Sequence, residues 1–134
     1  MINSFFIKDF LYDLDKMETT RQKKYARLIQ KDLSVIFQAN THELFGGAFI
    51  TVTHILMSPD LKLAKAYLSF MLVEDEKAML KRVNTHNKRI RTQLAQKIKK
   101  QARVIPELRF YLDDTAEIAA KVDALFRKEE DSED

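Results

Sequence analysis

The chain has 134 residues, 46% hydrophobic and 32% charged, a length and balance for one soluble globular domain with a single core. No stretch approaches the roughly 20 apolar residues of a membrane-spanning helix, and the lack of cysteine excludes disulfides, thiolate nucleophiles, Cys-ligated zinc and iron–sulfur clusters. The net charge of +3 averages opposed segments: without residues 1–16 and 129–134, 21 basic residues face 12 acidic ones, and a basic body with an acidic tail points to a polyanionic partner.

Residues 1–16 differ in character from the rest of the chain. Ile7, Phe10, Leu11 and Leu14 share one helical face, while Asp9 and Asp13 interrupt the apolar run that a secretory signal would need. The segment reads either as a short leader helix docking on the body or as an extension upstream of a second start at Met17. Residues 17–128 form the body. Residues 129–134, Glu-Glu-Asp-Ser-Glu-Asp, are predicted to be disordered because they bring no apolar surface to bury.

The first element of the body is a helix over 19–39, capped by Thr19 or Thr20, with Tyr25, Leu28, Ile29, Leu33, Ile36 and Phe37 as its apolar stripe. Lys24, Arg27 and Lys31 lie on its other side. Asn40 and Gly46-Gly47 then break the chain. Residues 48–57 alternate as a strand, faltering at His54, where a bulge is expected. Ser58-Pro59-Asp60 makes a turn into a second strand over 63–72. There Ala64, Ala66, Leu68, Phe70 and Leu72 point inward and Lys65, Tyr67 and Ser69 outward, so the two strands form an antiparallel hairpin.

Residues 74–103 contain neither Gly nor Pro and keep helical spacing through Leu80, Val83, Ile90, Leu94 and Ile98. Asn84-Thr85-His86-Asn87 interrupt the stripe, and such side chains compete for backbone hydrogen bonds, so two helices meeting near residues 84–88 are predicted. Pro106 ends the stretch. Residues 107–112 alternate again, with Arg109 and Tyr111 outward, and Asp113-Asp114-Thr115 caps a last helix with Ile118, Val122, Leu125 and Phe126 on one face. The order is an α+β fold, with helices packed on one face of a three-stranded sheet.

Catalytic chemistry finds little support. His42, His54 and His86 lie in separate segments, and no pair has metal-ligand spacing on a helix. Glu74-Asp75-Glu76 suits a helix's first turn. No enzyme, metal or cofactor is read here.

The stronger signal is charge. Lys77, Lys81, Arg82, Lys88, Arg89, Arg91, Lys97, Lys99, Lys100 and Arg103 fall in a span without a single acid. A solvated helix normally interleaves both signs, whereas a surface for phosphates does not. The break offers two readings: backbone N–H groups and small polar side chains presented to a sugar-phosphate strand, or a plain joint between helices. Tyr67 and Tyr111 beside Lys65 and Arg109 are either strand formers or stacking surfaces for bases.

Three segments carry a resemblance: ITVTHILMSPDLKLAKAYLSF (50–70), RIRTQLAQKI (89–98) and IPELRFYLDDTAEIAAKV (105–122). Together with the α-β-β-α-α-β order, they resemble the ribosome-binding factor A family, over about residues 19–127. The resemblance implies a type II KH-like domain in residues 17–128 (α-β-β-α-kink-α-β plus a C-terminal helix) and no enzymatic activity. It implies a cytoplasmic, monomeric factor without a membrane partner, which binds the free 30S small subunit and 16S rRNA during late maturation and rRNA processing, notably in the cold. Relatives place an Ala-x-Gly kink where this chain has His86-Asn87-Lys88, so the turn must be made without glycine. The RNA-binding residues expected are Lys81, Arg82, Asn84, His86, Asn87, Lys88, Arg89, Arg91, Lys97, Lys99, Lys100 and Arg103, with Lys24 and Arg27 from the first helix. The alternative is a protein-interaction module whose basic helix docks an acidic partner.

Overall fold

In the computed structural model, which describes residues 18–132, Thr19 opens the first helix, α1 (Thr20–Ala39). Its hydroxyl accepts from the Gln22 N–H at 3.1 Å and its own N–H donates to the Gln22 side-chain oxygen at 2.8 Å, so each satisfies a donor that a helix start leaves free. The other end of Gln22 is buried and donates to the Met57 carbonyl at 2.9 Å, tying the cap to the end of the first strand. Ile29, Leu33, Ile36 and Phe37 are fully buried, as the stripe requires.

The sheet has the order β1-β2-β3, made of β1 (Phe49–Met57), β2 (Leu63–Met71) and β3 (Glu107–Leu112). β1 and β2 are antiparallel, and the register slips between Val52 and His54, so Thr53 is the extra residue of a bulge. The bulge keeps Ile50 and Val52 before it, and Ile55 and Met57 after it, on the buried face. β2 and β3 are parallel, a pairing that needs a long crossover. Two helices supply it: α2 (Glu76–Thr85) and α3 (Asn87–Ile98). α1, α2 and α3 cover one face of the sheet, where Ala64, Ala66, Leu68, Phe70, Leu108 and Phe110 meet Val83, Ile90, Leu94 and Ile98 in one core.

The turn between β1 and β2 is held by its own side chains. Ser58 Oγ donates to Asp60 at 2.6 Å, the Lys62 N–H donates to the same carboxylate at 3.1 Å, and the Leu63 N–H donates to Ser58 Oγ at 3.0 Å. Leu61 takes a left-handed φ of 62° there, yet its side chain is buried. Burial of a leucine offsets the backbone strain.

Three expectations are corrected. Leu72 is not inward: β2 stops at Met71, and Leu72 turns to φ 62° and stands 90% exposed. The helical stretch does not reach residue 103. α3 ends at Ile98, whose carbonyl accepts from both Gln101 and Ala102 at 2.9 Å, since Lys99, Lys100 and Gln101 offer no apolar residue to continue the buried stripe. A last helix, α4 (Thr115–Ser132), belongs to a separate unit beginning at Asp113. On it Val122 is buried but Leu125 and Phe126 are exposed; helical spacing defines a face without supplying a surface to cover it. α4 runs through residues 129–132 of the tail predicted to be disordered, whereas the leader 1–16 and residues 133–134 lie outside the described residues.

Candidate nucleic-acid interface

The basic run lies on α2, on α3 and, with Lys99, Lys100 and Arg103, on the residues after α3, and the joint between the two helices is one residue. Asp75 caps α2 by accepting from the Ala78 N–H at 3.0 Å. At the far end, the His86 N–H reaches the carbonyls of Val83 at 3.0 Å and Arg82 at 3.3 Å, while the His86 carbonyl accepts from the Ile90 N–H at 3.0 Å. His86 thus closes one helix and opens the next at φ −95° and ψ 13°. That conformation is open to residues with a side chain, which is how the turn is made without glycine. The His86 ring lies edge-on to Phe45, centroids 6.1 Å apart.

Several of the expected contact residues are engaged within the protein. Asn87, the first residue of α3, donates Nδ2 to the Leu108 carbonyl of β3 at 2.9 Å. One turn on, Arg91 donates Nε to the Pro106 carbonyl and Nη2 to the Ile105 carbonyl, each at 3.0 Å. Together they fasten the chain entering β3. Arg89 pairs with Glu43 at 2.8 Å, both half-exposed, a contact of small energetic weight. The Arg82 guanidinium lies over Gly46, so close that a Cβ there would sit 3.1 Å from Nη1. Asn84 donates to the Leu80 carbonyl at 3.2 Å within its own helix.

The lysines are different. Lys81, Lys88, Lys97, Lys99 and Lys100 are exposed, and among the described residues none has a carboxylate partner. Lys88 borders an open groove of about 620 Å³ along the joint and the first turns of α3, lined also by Thr85, His86, Arg89, Gln93 and Gln96. The Thr85 and Thr92 hydroxyls turn back to the carbonyls of Lys81 and Lys88 at 2.9 Å, and Gln93 accepts from Asn40 at 2.9 Å. Lys88 and Gln96 keep their side-chain donors for an outside acceptor, which suits a phosphate or ribose oxygen.

The structure places Lys24 and Arg103 elsewhere. They share a second groove with Arg21, which is outside the expected set although its i, i+3 spacing to Lys24 puts both on one helix face. Arg27 is exposed on α1 but does not line that groove. On the sheet, Tyr67 and Tyr111 stack on each other with centroids 5.5 Å apart, and His54 lies 6.2 Å from Tyr67. Among the described residues, no group of three His, Asp or Glu side chains is placed to hold a metal ion, and no helix is long and apolar enough to cross a membrane.

The comparisons with known proteins agree with one another. The family model described as ribosome-binding factor A matches residues 21–126. A ribosome-binding factor A from Cytophaga hutchinsonii is 48% identical over 112 residues, covering 84% of each chain. The crystal structure of ribosome-binding factor A from Thermus thermophilus has a TM-score of 0.58 at 19% identity, covering 68% of this chain and 94% of that one. A homology model of the Thermus thermophilus factor, fitted into a cryo-EM map of its complex with the 30S subunit, has a TM-score of 0.51 at 24% identity and covers 64% and 88%.

Proposed function

The chain belongs to the ribosome-binding factor A family, and from that premise we propose that it is a non-enzymatic cytoplasmic assembly factor, acting as a monomer. It binds the free 30S subunit and 16S rRNA during late maturation and rRNA processing, with its weight felt most in the cold. The observation that carries the reading is the acid-free run from Lys77 to Val104, along α2, α3 and the residues after α3, on which Lys81, Lys88, Lys97, Lys99 and Lys100 stand exposed without an ion partner among the described residues. Phosphate contacts supply most nucleic-acid affinity and do not need fixed side-chain geometry. Exposed lysines serve that purpose, while the engaged Asn87 and Arg91 hold the surface in shape. Asn84, His86, Arg82 and Arg89 line or support the joint beside the phosphate path.

The test is cosedimentation of the full chain with purified 30S subunits and with 70S ribosomes over a salt series. Binding to free 30S subunits that weakens steeply with salt, and little binding to 70S, is expected. Equal binding to both particles, or binding to acidic proteins in place of RNA, overturns the reading.

A further inference from the structure

The groove that holds Lys24 and Arg103 is separate from the joint. It is a cleft of about 480 Å³ between the start of α1 and the segment joining α3 to β3, lined by Arg21, Lys24, Tyr25, Leu28, Leu61, Gln101, Arg103 and Val104. That volume falls within the roughly 300–1,000 Å³ of small-ligand clefts. Its rim and its floor differ chemically. Arg21, Lys24 and Arg103 are exposed, none has an ion partner among the described residues, and no acid lines the cleft. Tyr25 and Leu28 are half-buried, and Leu61 beneath them is buried. The Tyr25 hydroxyl donates to the Val104 carbonyl, which anchors the α3–β3 segment and carries Arg103 to the α1 side.

A cationic rim over an apolar and aromatic floor is the chemistry that takes a nucleotide unit of a single strand, phosphates at the rim and a base or ribose on the floor. We propose that this cleft is a second RNA contact, holding single-stranded ribonucleotides with phosphates at Arg21, Lys24 and Arg103 and a base over Tyr25 and Leu28. The inference rests on the RNA reading of α2 and α3 and extends it. The joint groove runs from Thr85 along α3 to Gln96, and this cleft lies beyond the end of that helix. Only residues 97–100 separate Gln96 of the one from Gln101 of the other, and Lys97, Lys99 and Lys100 are three of those four. A single strand laid along α3 meets cations from one groove to the other.

The test uses the full chain and labelled decauridylate, read by fluorescence anisotropy over a potassium chloride series. Replacement of Arg21, Lys24 and Arg103 together by Gln touches only exposed side chains. It is expected to weaken binding roughly five- to tenfold at low salt, and to make the slope of log K against log salt shallower by about 2, at roughly 0.7 per phosphate on a single strand. A 4-thiouridine probe is expected to cross-link at Tyr25. The companion variant, with Lys81, Lys88 and Lys97 replaced by Gln, separates the two readings. If it weakens binding while the groove variant does not, the second contact is overturned and the α2–α3 surface stands. If neither weakens binding, both readings fall. If the groove variant loses polyglutamate binding as much as RNA binding, with no cross-link at Tyr25, the cleft takes an acidic protein and the inference is overturned.

Discussion

Asn87 Nδ2 lies 2.9 Å from the Leu108 carbonyl oxygen, so the residue that follows the helix joint is bonded to the strand at the edge of the sheet. The bond explains why an amide stands where the helical stripe calls for an apolar side chain: a partly buried strand carbonyl needs a donor, and leucine has none. Asn87→Leu is therefore expected to destabilise the fold by about 1–3 kcal/mol, the range for orphaning one buried partner. Urea unfolding measures it. Greater stability in Asn87→Leu would show that packing outweighs the hydrogen bond.

Arg91 divides structure from recognition. Its guanidinium serves the Pro106 and Ile105 carbonyls, so Arg91→Met is expected to lower stability by about 1–2 kcal/mol. The salt slope of RNA binding should change little, because that charge already faces protein oxygens. A fall in the slope with unaltered stability would assign Arg91 to phosphate.

The exposed lysines should behave the opposite way. Lys81→Gln, Lys88→Gln and Lys97→Gln together remove charges with no ion partner among the described residues. Thermal unfolding should be nearly unchanged. The slope of log K against log salt for 30S binding should become shallower by roughly 0.7–0.9 for each phosphate that is no longer neutralised.

Gly46 has a φ of 59° and faces the Arg82 guanidinium. Gly46→Ala adds left-handed strain of about 1 kcal/mol and displaces the tip of Arg82, so a loss of about 1–2 kcal/mol is expected from urea unfolding. Gly47→Ala, at φ 86° with open space around it, should show strain alone and leave Arg82 in place.

Asp60 titrates below its ordinary carboxylate pKa because the Ser58 hydroxyl donates to it and the Lys62 N–H donates to the same carboxylate. A carboxyl with a depressed folded pKa contributes stability that is present above the unfolded value of 3.8 and is lost as pH falls through the folded value. Asp60→Asn should therefore flatten the acid limb of the stability profile below about pH 4. A limb of unchanged steepness in Asp60→Asn would place the acid sensitivity in other carboxylates.

Much of the fold was legible because its signals are local. The α1 stripe from Ile29 to Phe37, the alternation of Ile50 and Val52, the faltering at His54 and the interrupted stripe at Asn84–Asn87 each record a periodicity that the chain keeps over one or two turns or pleats. Burial follows periodicity wherever something packs on the face, as it does for Val83, Ile90 and Leu94. It fails at Leu72, where the strand had already ended, and at Leu125 and Phe126, because spacing says nothing of what covers a face.

The sequence by itself determined the order of elements, the acid-free basic run and the position of the joint, since all three depend on residue type and spacing along the chain. Only the tertiary structure decided which of those polar residues remain available to a partner. A guanidinium or amide reads the same in a sequence whether it faces water or a carbonyl. The carbonyls that engage Asn87 and Arg91 come from β3 and the two residues leading into it, 14 to 21 residues further on. Arg103 joins Arg21 and Lys24 at a cleft where Tyr25 bonds to Val104, 79 residues away. Such pairings depend on chain closure through the core, and no local pattern encodes them.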